Sequence, residues 1–169
     1  MISTLQRPNL IEPAGMQLAA KFILDICSKN NLVPNIYDLY SCFPVAIQMF
    51  AKSLNLNNIK DKTVTGAMPF AGGPLNSYVL HSTAKLIEKL RENNGIGIVT
   101  GVSGMMTKQS YALWSKNKEI DFIHKDVTKD AETIEKALEL SEFEDGEGKI
   151  VGYTAVSYTH LRAHETEYD

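Results

Sequence analysis

Apolar residues recur at three- and four-residue spacing over residues 13–29. Met16, Ala19, Ala20, Ile23, Leu24 and Cys27 fall on one face and predict an amphipathic helix. Pro13 suits its first turn and Asn30-Asn31 its end. Cys27 lies on the apolar stripe and reads as a small core residue. Pro34-Asn35 breaks the chain, and residues 36–40 (IYDLY) predict a short strand. Pro44 opens a second helix over PVAIQMFAKSLNL (44–56), so residues 41–43 occupy a strand-to-helix corner. A polar loop over 55–62 leads to a short strand at 63–67 (TVTGA) and a loop at 68–76, whose Gly72-Gly73-Pro74 opens a third helix. That helix, ending near Asn93, sets Val79, Leu80, Thr83, Leu86, Ile87 and Leu90 against Lys85, Glu88, Lys89 and Arg91 on the other side. Asn94-Gly95 is a natural C-terminal cap.

Residues 96–102 (IGIVTGV) have the β-rich character of a strand crossing a sheet interior. A Gly-rich bend, SGMM, leads to TKQSYALWS (107–115), whose alternation predicts a strand near the sheet edge. Residues 116–130 carry eight charges and read as a linker, followed by a short helix over 131–140 (AETIEKALEL). Acidic EFEDGEG then precedes KIVGYTA (149–155), the expected first strand of a new β unit. The alternation β–α–β–α–β–β up to residue 115 predicts an α/β layered domain. The expected organisation is a domain over 1–116, a linker with a short helix over 117–145, the start of a small β domain over 146–155, and a separate tail.

That tail, residues 156–169 (VSYTHLRAHETEYD), does not continue the pattern before it. It resembles the translation of a transposase sequencing adapter, with VSYTHLRAHET matching one reading frame; the alternative is a genuine polar C-terminus. Read as non-native sequence, it is set aside from fold reasoning, and the natural protein is expected to continue differently after Ala155. His160 and His164, spaced i, i+4, would otherwise mimic a metal pair on a helix face. Without them no metal site is expected. Leaving out Arg162, Glu165, Glu167 and Asp169 moves the net charge from −3 to −1.

A hydrophobic content of 44% and a charged content of 22% are ordinary for a globular chain and argue against disorder. With no broad basic field, nucleic acid is not an expected partner. No apolar run reaches the roughly 18 residues needed to span a bilayer, and MISTLQRPNLIEP is not patterned as a signal peptide. Cys27 and Cys42 are too few for a disulfide framework or a cysteine-rich zinc site, so a reduced cytoplasmic setting is expected.

Four stretches carry a family resemblance: Asp38-Leu39-Tyr40-Ser41-Cys42-Phe43-Pro44, the run from Thr65 to Asn76 (TGAMPFAGGPLN), the run from Gly97 to Gly104 (GIVTGVSG), and Thr107-Lys108-Gln109. Their order and spacing resemble the C-terminal half of thiolase-superfamily proteins, especially bacterial acetyl-CoA acetyltransferases related to the sterol-carrier-type thiolases and the thiolase-like protein type 1 group. The resemblance covers roughly residues 5–155. It implies a thiolase-like layered α/β fold, a substrate that is a coenzyme A thioester (acyl-CoA), and no separate cofactor. It also implies an acyltransferase activity in lipid metabolism that makes or breaks a carbon–carbon bond beside the thioester. The nucleophilic cysteine would lie in an N-terminal half preceding Met1, against which the helix near 76–93 would stack. A fragment without that half is expected to be inactive and poorly stable. Expected partners are acyl-CoA, the missing half, and either a second copy or a zinc-ribbon OB-fold protein. The competing class is a non-catalytic acyl-CoA- or lipid-binding protein, or an assembly subunit, on the same fold.

Three catalytic elements of that family can be matched here. The first is an Asn-Glu-Ala-Phe or His-Asp-Cys-Phe corner, whose first residue holds a water at an oxyanion hole. Tyr40-Ser41-Cys42-Phe43 stands in its place, and a phenol can donate the single hydrogen bond required. Alternatively Tyr40 packs and Ser41 caps the Pro44 helix. A helix N-terminus can also lower the pKa of a thiol such as Cys42 and make it a nucleophile. The second is Gly-His-Pro, whose histidine activates the nucleophile; here it reads Gly72-Gly73-Pro74, and Gly73 transfers no proton. His81, eight residues on, replaces that base only if the fold returns it to the pocket; otherwise it is a packing residue. The third is Cys-x-Gly, whose cysteine is the acid/base. Thr100 or Gly101 falls there, and residues 95–116 contain no cysteine. Phe70, Gly72, Gly73, Gly101, Ser103 and Gly104 would line the substrate pocket with Ser41 and Cys42. Lys108 would reach a phosphate or carboxylate, or stay solvated.

Overall fold

Adjacent residues on a strand face opposite ways, and Ile98 and Val99 divide the packing accordingly. Ile98 packs with Met16, Ala20, Leu39 and Phe50, and Val99 with Leu86 and Leu90. The computed structural model describes residues 4–56, 58, 60–73, 75–118, 120–141 and 145–150. Three strands, β1 (Ile36–Asp38), β2 (Ile96–Ser103) and β3 (Met105–Ser115), form a mixed sheet in the order β1-β2-β3. β1 runs parallel to β2, and β2 antiparallel to β3. The α-helices among the described residues are α1 (Ala14–Lys29), α2 (Pro44–Ser53), α3 (Met68–Ala71), α4 (Tyr78–Glu92) and α5 (Thr128–Ile134). The fold is therefore mixed α/β. Among the described residues no helix is long and apolar enough to cross a membrane.

The first helix forms where the spacing predicts it, with Ile26 also buried. It stops in a left-handed residue, Asn31 (φ 54°), after which the Leu32 N–H returns to the Cys27 carbonyl at 2.8 Å. α2 ends the same way. Asn55 (φ 59°) lets the Leu56 N–H reach the Ala51 carbonyl at 2.7 Å, so the helix stops at Ser53 rather than running to Leu56. On β2, Gly97 faces α4. A Cβ there would overlap the Leu86 side chain, so the missing side chain sets how closely helix and sheet approach. Gly104 (φ 71°) turns the β2–β3 hairpin, leaving Ser103 opposite Met105.

Several elements differ from the pattern reading. β1 ends at Asp38, because the Leu39 N–H bonds the Lys62 carbonyl and the Tyr40 N–H bonds Thr100 Oγ1, both at 2.9 Å. Residues 63–67 are not a strand. Their β-branched composition imitates one, but the Val64 and Thr65 N–H groups go to the Asp38 carboxylate. Residues 68–71, read as loop, close one short helix. α4 begins at Tyr78 and buries Tyr78, Ser82, Leu86 and Leu90, while Leu80 is 69% exposed. Its inner line is rotated from the apolar stripe because the Tyr78 and Ser82 hydroxyls are anchored at Asp38. α5 starts within the expected linker, where Asp126 accepts the Thr128 N–H at 2.8 Å. It ends early, because Glu135 turns to the start of α1 and the Leu138 N–H bonds the Gln6 carbonyl at 2.8 Å.

The chain divides after Glu139 into two units. The described residues of the second, 140–141 and 145–150, carry no helix or strand. The strand expected at 149–155 falls mostly outside the described residues, as do Pro74 and the whole tail from Val156.

Candidate functional site

A carboxylate away from water needs donors, and Asp38, fully buried at the end of β1, collects them from two segments, residues 63–65 and α4. Its Oδ2 accepts from Thr63 Oγ1 (2.8 Å), Thr65 Oγ1 (2.9 Å) and the Val64 and Thr65 N–H groups (3.0 Å each). Its Oδ1 accepts from Ser82 Oγ at 2.6 Å and Tyr78 Oη at 3.4 Å. The donors are hydroxyls and amides rather than a cation. They curl residues 63–67 around the carboxylate and hold Ala67 at φ 70°, its N–H on Thr63 Oγ1 at 3.0 Å. For a side chain bearing a Cβ this is a costly conformation, sustained by the bonds around it.

The same cluster assembles the corner. The Met68 N–H bonds Ser41 Oγ at 2.9 Å, Ser41 Oγ lies 3.3 Å from Tyr78 Oη, and Tyr78 Oη lies 2.9 Å from Thr65 Oγ1. The Tyr40 ring meets the Tyr78 ring edge-on, centroids 5.6 Å apart. With the Tyr40 N–H on Thr100 Oγ1, the corner at 40–43, the run from Thr65 and strand β2 are joined directly. Ser41 is thus bonded to the start of α3 rather than capping α2, whose first residue, Pro44, has no N–H to cap.

The other singled-out residues lie around this centre. Tyr40 and Cys42 are half-buried. Burial raises the Tyr40 phenol above its usual pKa, with further increments from Cys42 and Tyr78. Burial also raises the Cys42 thiol, against the opposing pull of backbone hydrogen bonds at Phe43 and Cys42. Near neutral pH both groups are protonated, able to donate a hydrogen bond and not to attack. Phe70 is 85% exposed, and Gly72, Gly73, Ser103, Gly104, Lys108 and His81 are exposed as well. Gly101 is buried, its absent side chain leaving room for Ser110 Oγ and Val79. A cleft of about 1340 Å³ borders Tyr40, Gly101, Ser103, Gly104 and Lys108. Ser41, Cys42, Phe70, Gly72, Gly73 and His81 do not line it. Among the described residues no three His, Cys, Asp or Glu side chains converge as metal ligands.

In the sequence Asp38 stands only as part of a motif, and no pattern singles out Thr63, Tyr78 or Ser82. One signal was available: an acidic residue between Tyr37 and Leu39, in a strand otherwise made for a core, requires dedicated donors. No protein-family model, curated protein or solved structure matches the chain.

Proposed function

We propose that the chain corresponds to the C-terminal half of a thiolase-like acyl-CoA acetyltransferase and that this half alone performs no acyl transfer. The observation that carries the reading is the direct bonding of motif stretches far apart in sequence. Tyr40 is tied to Thr100, and Ser41 to Met68, as expected of segments that together border a thioester. In this reading Tyr40 offers its phenolic proton toward the substrate oxygen, and the glycines of the Gly72-Gly73 loop and the hairpin tip leave room for the pantetheine arm.

The chemistry of this half is incomplete. Covalent acyl transfer needs an activated nucleophile with a base in hydrogen-bond reach. Gly73 stands where the base would be, His81 is on the exposed side of α4, and the Cys42 thiol is shifted away from the thiolate. These same observations favour a second reading, an acyl-CoA-binding protein without catalysis. The purified chain with acetoacetyl-CoA and CoA is expected to give no acetyl-CoA above background, while titration calorimetry with acetyl-CoA registers binding. Turnover abolished by Cys42→Ala would refute the assignment of roles. Absence of any acyl-CoA binding by a folded chain would remove both readings.

A further inference from the structure

β3 is an edge strand eleven residues long, and among the described residues it borders no strand but β2. An open edge offers backbone donors and acceptors to any extended chain laid beside it, and natural edges are commonly guarded by charges, proline or bulges. From Met105 to Trp114 the strand has one charged residue, Lys108, and no proline; its register shifts opposite Val102/Ser103, and beyond that irregularity it pairs regularly from Gln109 to Ser115. The 1340 Å³ cleft runs along this edge, lined by Thr107 to Ser115 on one side and by Ile120 to Thr128 on the other, with α1 contributing Phe22 and Ala19. An occupant of this cleft would lie between the strand and the 120–128 segment.

The lining says what kind of segment. Four carboxylates (Asp121, Asp126, Glu132, Glu135) border the cleft against Lys108 and Lys125. Lys118 pairs with Asp121 at 2.7 Å, while Lys125 is engaged over the Phe22 ring and near Asp130. Glu135 spends Oε2 on the Ala14 N–H at 2.9 Å, and its Oε1 is buried without a partner, as is Thr107 Oγ1. Glu135 stands at the start of α1, where Gly15 lies opposite Gln109 and Ala131, and Thr107 lines the same cleft. Further along β3, Leu113 and Trp114 provide apolar surface.

We infer that this cleft is a docking site for a linear, extended peptide that adds as a strand to β3, with a basic residue at Glu135 and apolar side chains toward Leu113 and Trp114. The cleft also borders Tyr40 and the hairpin tip invoked for acyl-CoA, but the peptide proposal rests on the strand edge and Glu135 and does not depend on that reading. Fluorescence polarisation tests it on the full chain. The probe is a labelled ten-residue peptide of alternating valine and threonine with one terminal lysine. Saturable binding is expected. Glutamate in place of that lysine is expected to weaken it at least about fivefold, as removal of a charge-assisted contact should. Methylating alternate backbone nitrogens along one edge is expected to abolish binding. Glu135→Gln, which keeps an acceptor for the Ala14 N–H, is expected to erase the difference between the lysine and glutamate peptides. The proposal is overturned by no saturable binding up to about 1 mM, by undiminished binding of the methylated peptide, or by a lysine preference that survives Glu135→Gln. A dimer of the chain that the peptide cannot dissociate would place a second copy on this edge and also overturn it.

Discussion

Replacing Asp38 tests the centre from which the corner is built. In Asp38→Ala the Val64 and Thr65 N–H groups lose their acceptor, and the hydroxyls of Thr63, Thr65 and Ser82 must find others in a half-buried or buried setting. A buried donor left unsatisfied costs about 1–3 kcal/mol. The hydroxyls can rotate toward one another, since Thr63 Oγ1 lies 3.1 Å from Thr65 Oγ1 and Thr65 Oγ1 lies 2.9 Å from Tyr78 Oη. The two amides cannot rotate. They set the scale, and the expected loss is about 3–5 kcal/mol. Asp38→Asn should be milder. An amide oxygen at the Oδ2 position keeps its four donors, and the NH₂ group can donate to Ser82 Oγ. The remaining loss is the charge-assisted part, about 1–2 kcal/mol. Urea unfolding followed by circular dichroism measures both, and hydrogen exchange at Val64 and Thr65 locates the change. A loss below about 1 kcal/mol in Asp38→Ala would refute the reasoning, as would unchanged exchange at those two amides.

Gly97→Ala is expected to destabilise by about 1–3 kcal/mol, because its Cβ overlaps Leu86 in a closed core; in a double-mutant cycle Leu86→Ala should recover part of that loss, and additivity would show that the two positions do not meet. Burial raises the Tyr111 phenol, against a lowering hydrogen bond to Ser53, so its proton is held more tightly folded than unfolded. Its contribution is therefore complete below about pH 10 and lost as pH rises, at up to about 1.4 kcal/mol per pH unit. Tyr111→Phe should flatten this alkaline slope, and an unchanged slope would exclude Tyr111 as its source. Cys42 alkylation by iodoacetamide should rise with pH with a midpoint above 9, the ordinary value from which it is raised; a midpoint near neutrality would reveal an activating neighbour.

What the pattern of residues made legible follows from where each segment finds its partners. α1, β2 and the hairpin strand β3 were visible because local periodicity and burial agree there. The 63–67 turn was not. Its Thr-Val-Thr composition favours a strand, and the acceptor that overrides it sits 25 to 27 residues earlier in the chain. The rotation of α4 has the same origin, since Tyr78 and Ser82 turn inward for Asp38 while Leu80 is left outside. The corner at Tyr40–Ser41 was recognisable as a motif, yet its tie to Met68 depends on a helix of four residues that no periodic signal announces.

The two ladders of the sheet differ greatly in the length of chain they close. β3 follows β2 after the single residue Gly104, whereas β1 meets β2 from across the whole span between Asp38 and Ile96. A hairpin closes in about 1–10 μs, while the parallel pairing must wait for the entropy of a long loop to be offset by packing. β1 also contributes only three residues to its ladder. The order of events in refolding follows: the hairpin forms first as a template, and β1 docks late, together with the burial of Asp38. Mutations at Asp38 should therefore accelerate unfolding far more than they slow folding, giving the region low φ-values while the hairpin carries the high ones.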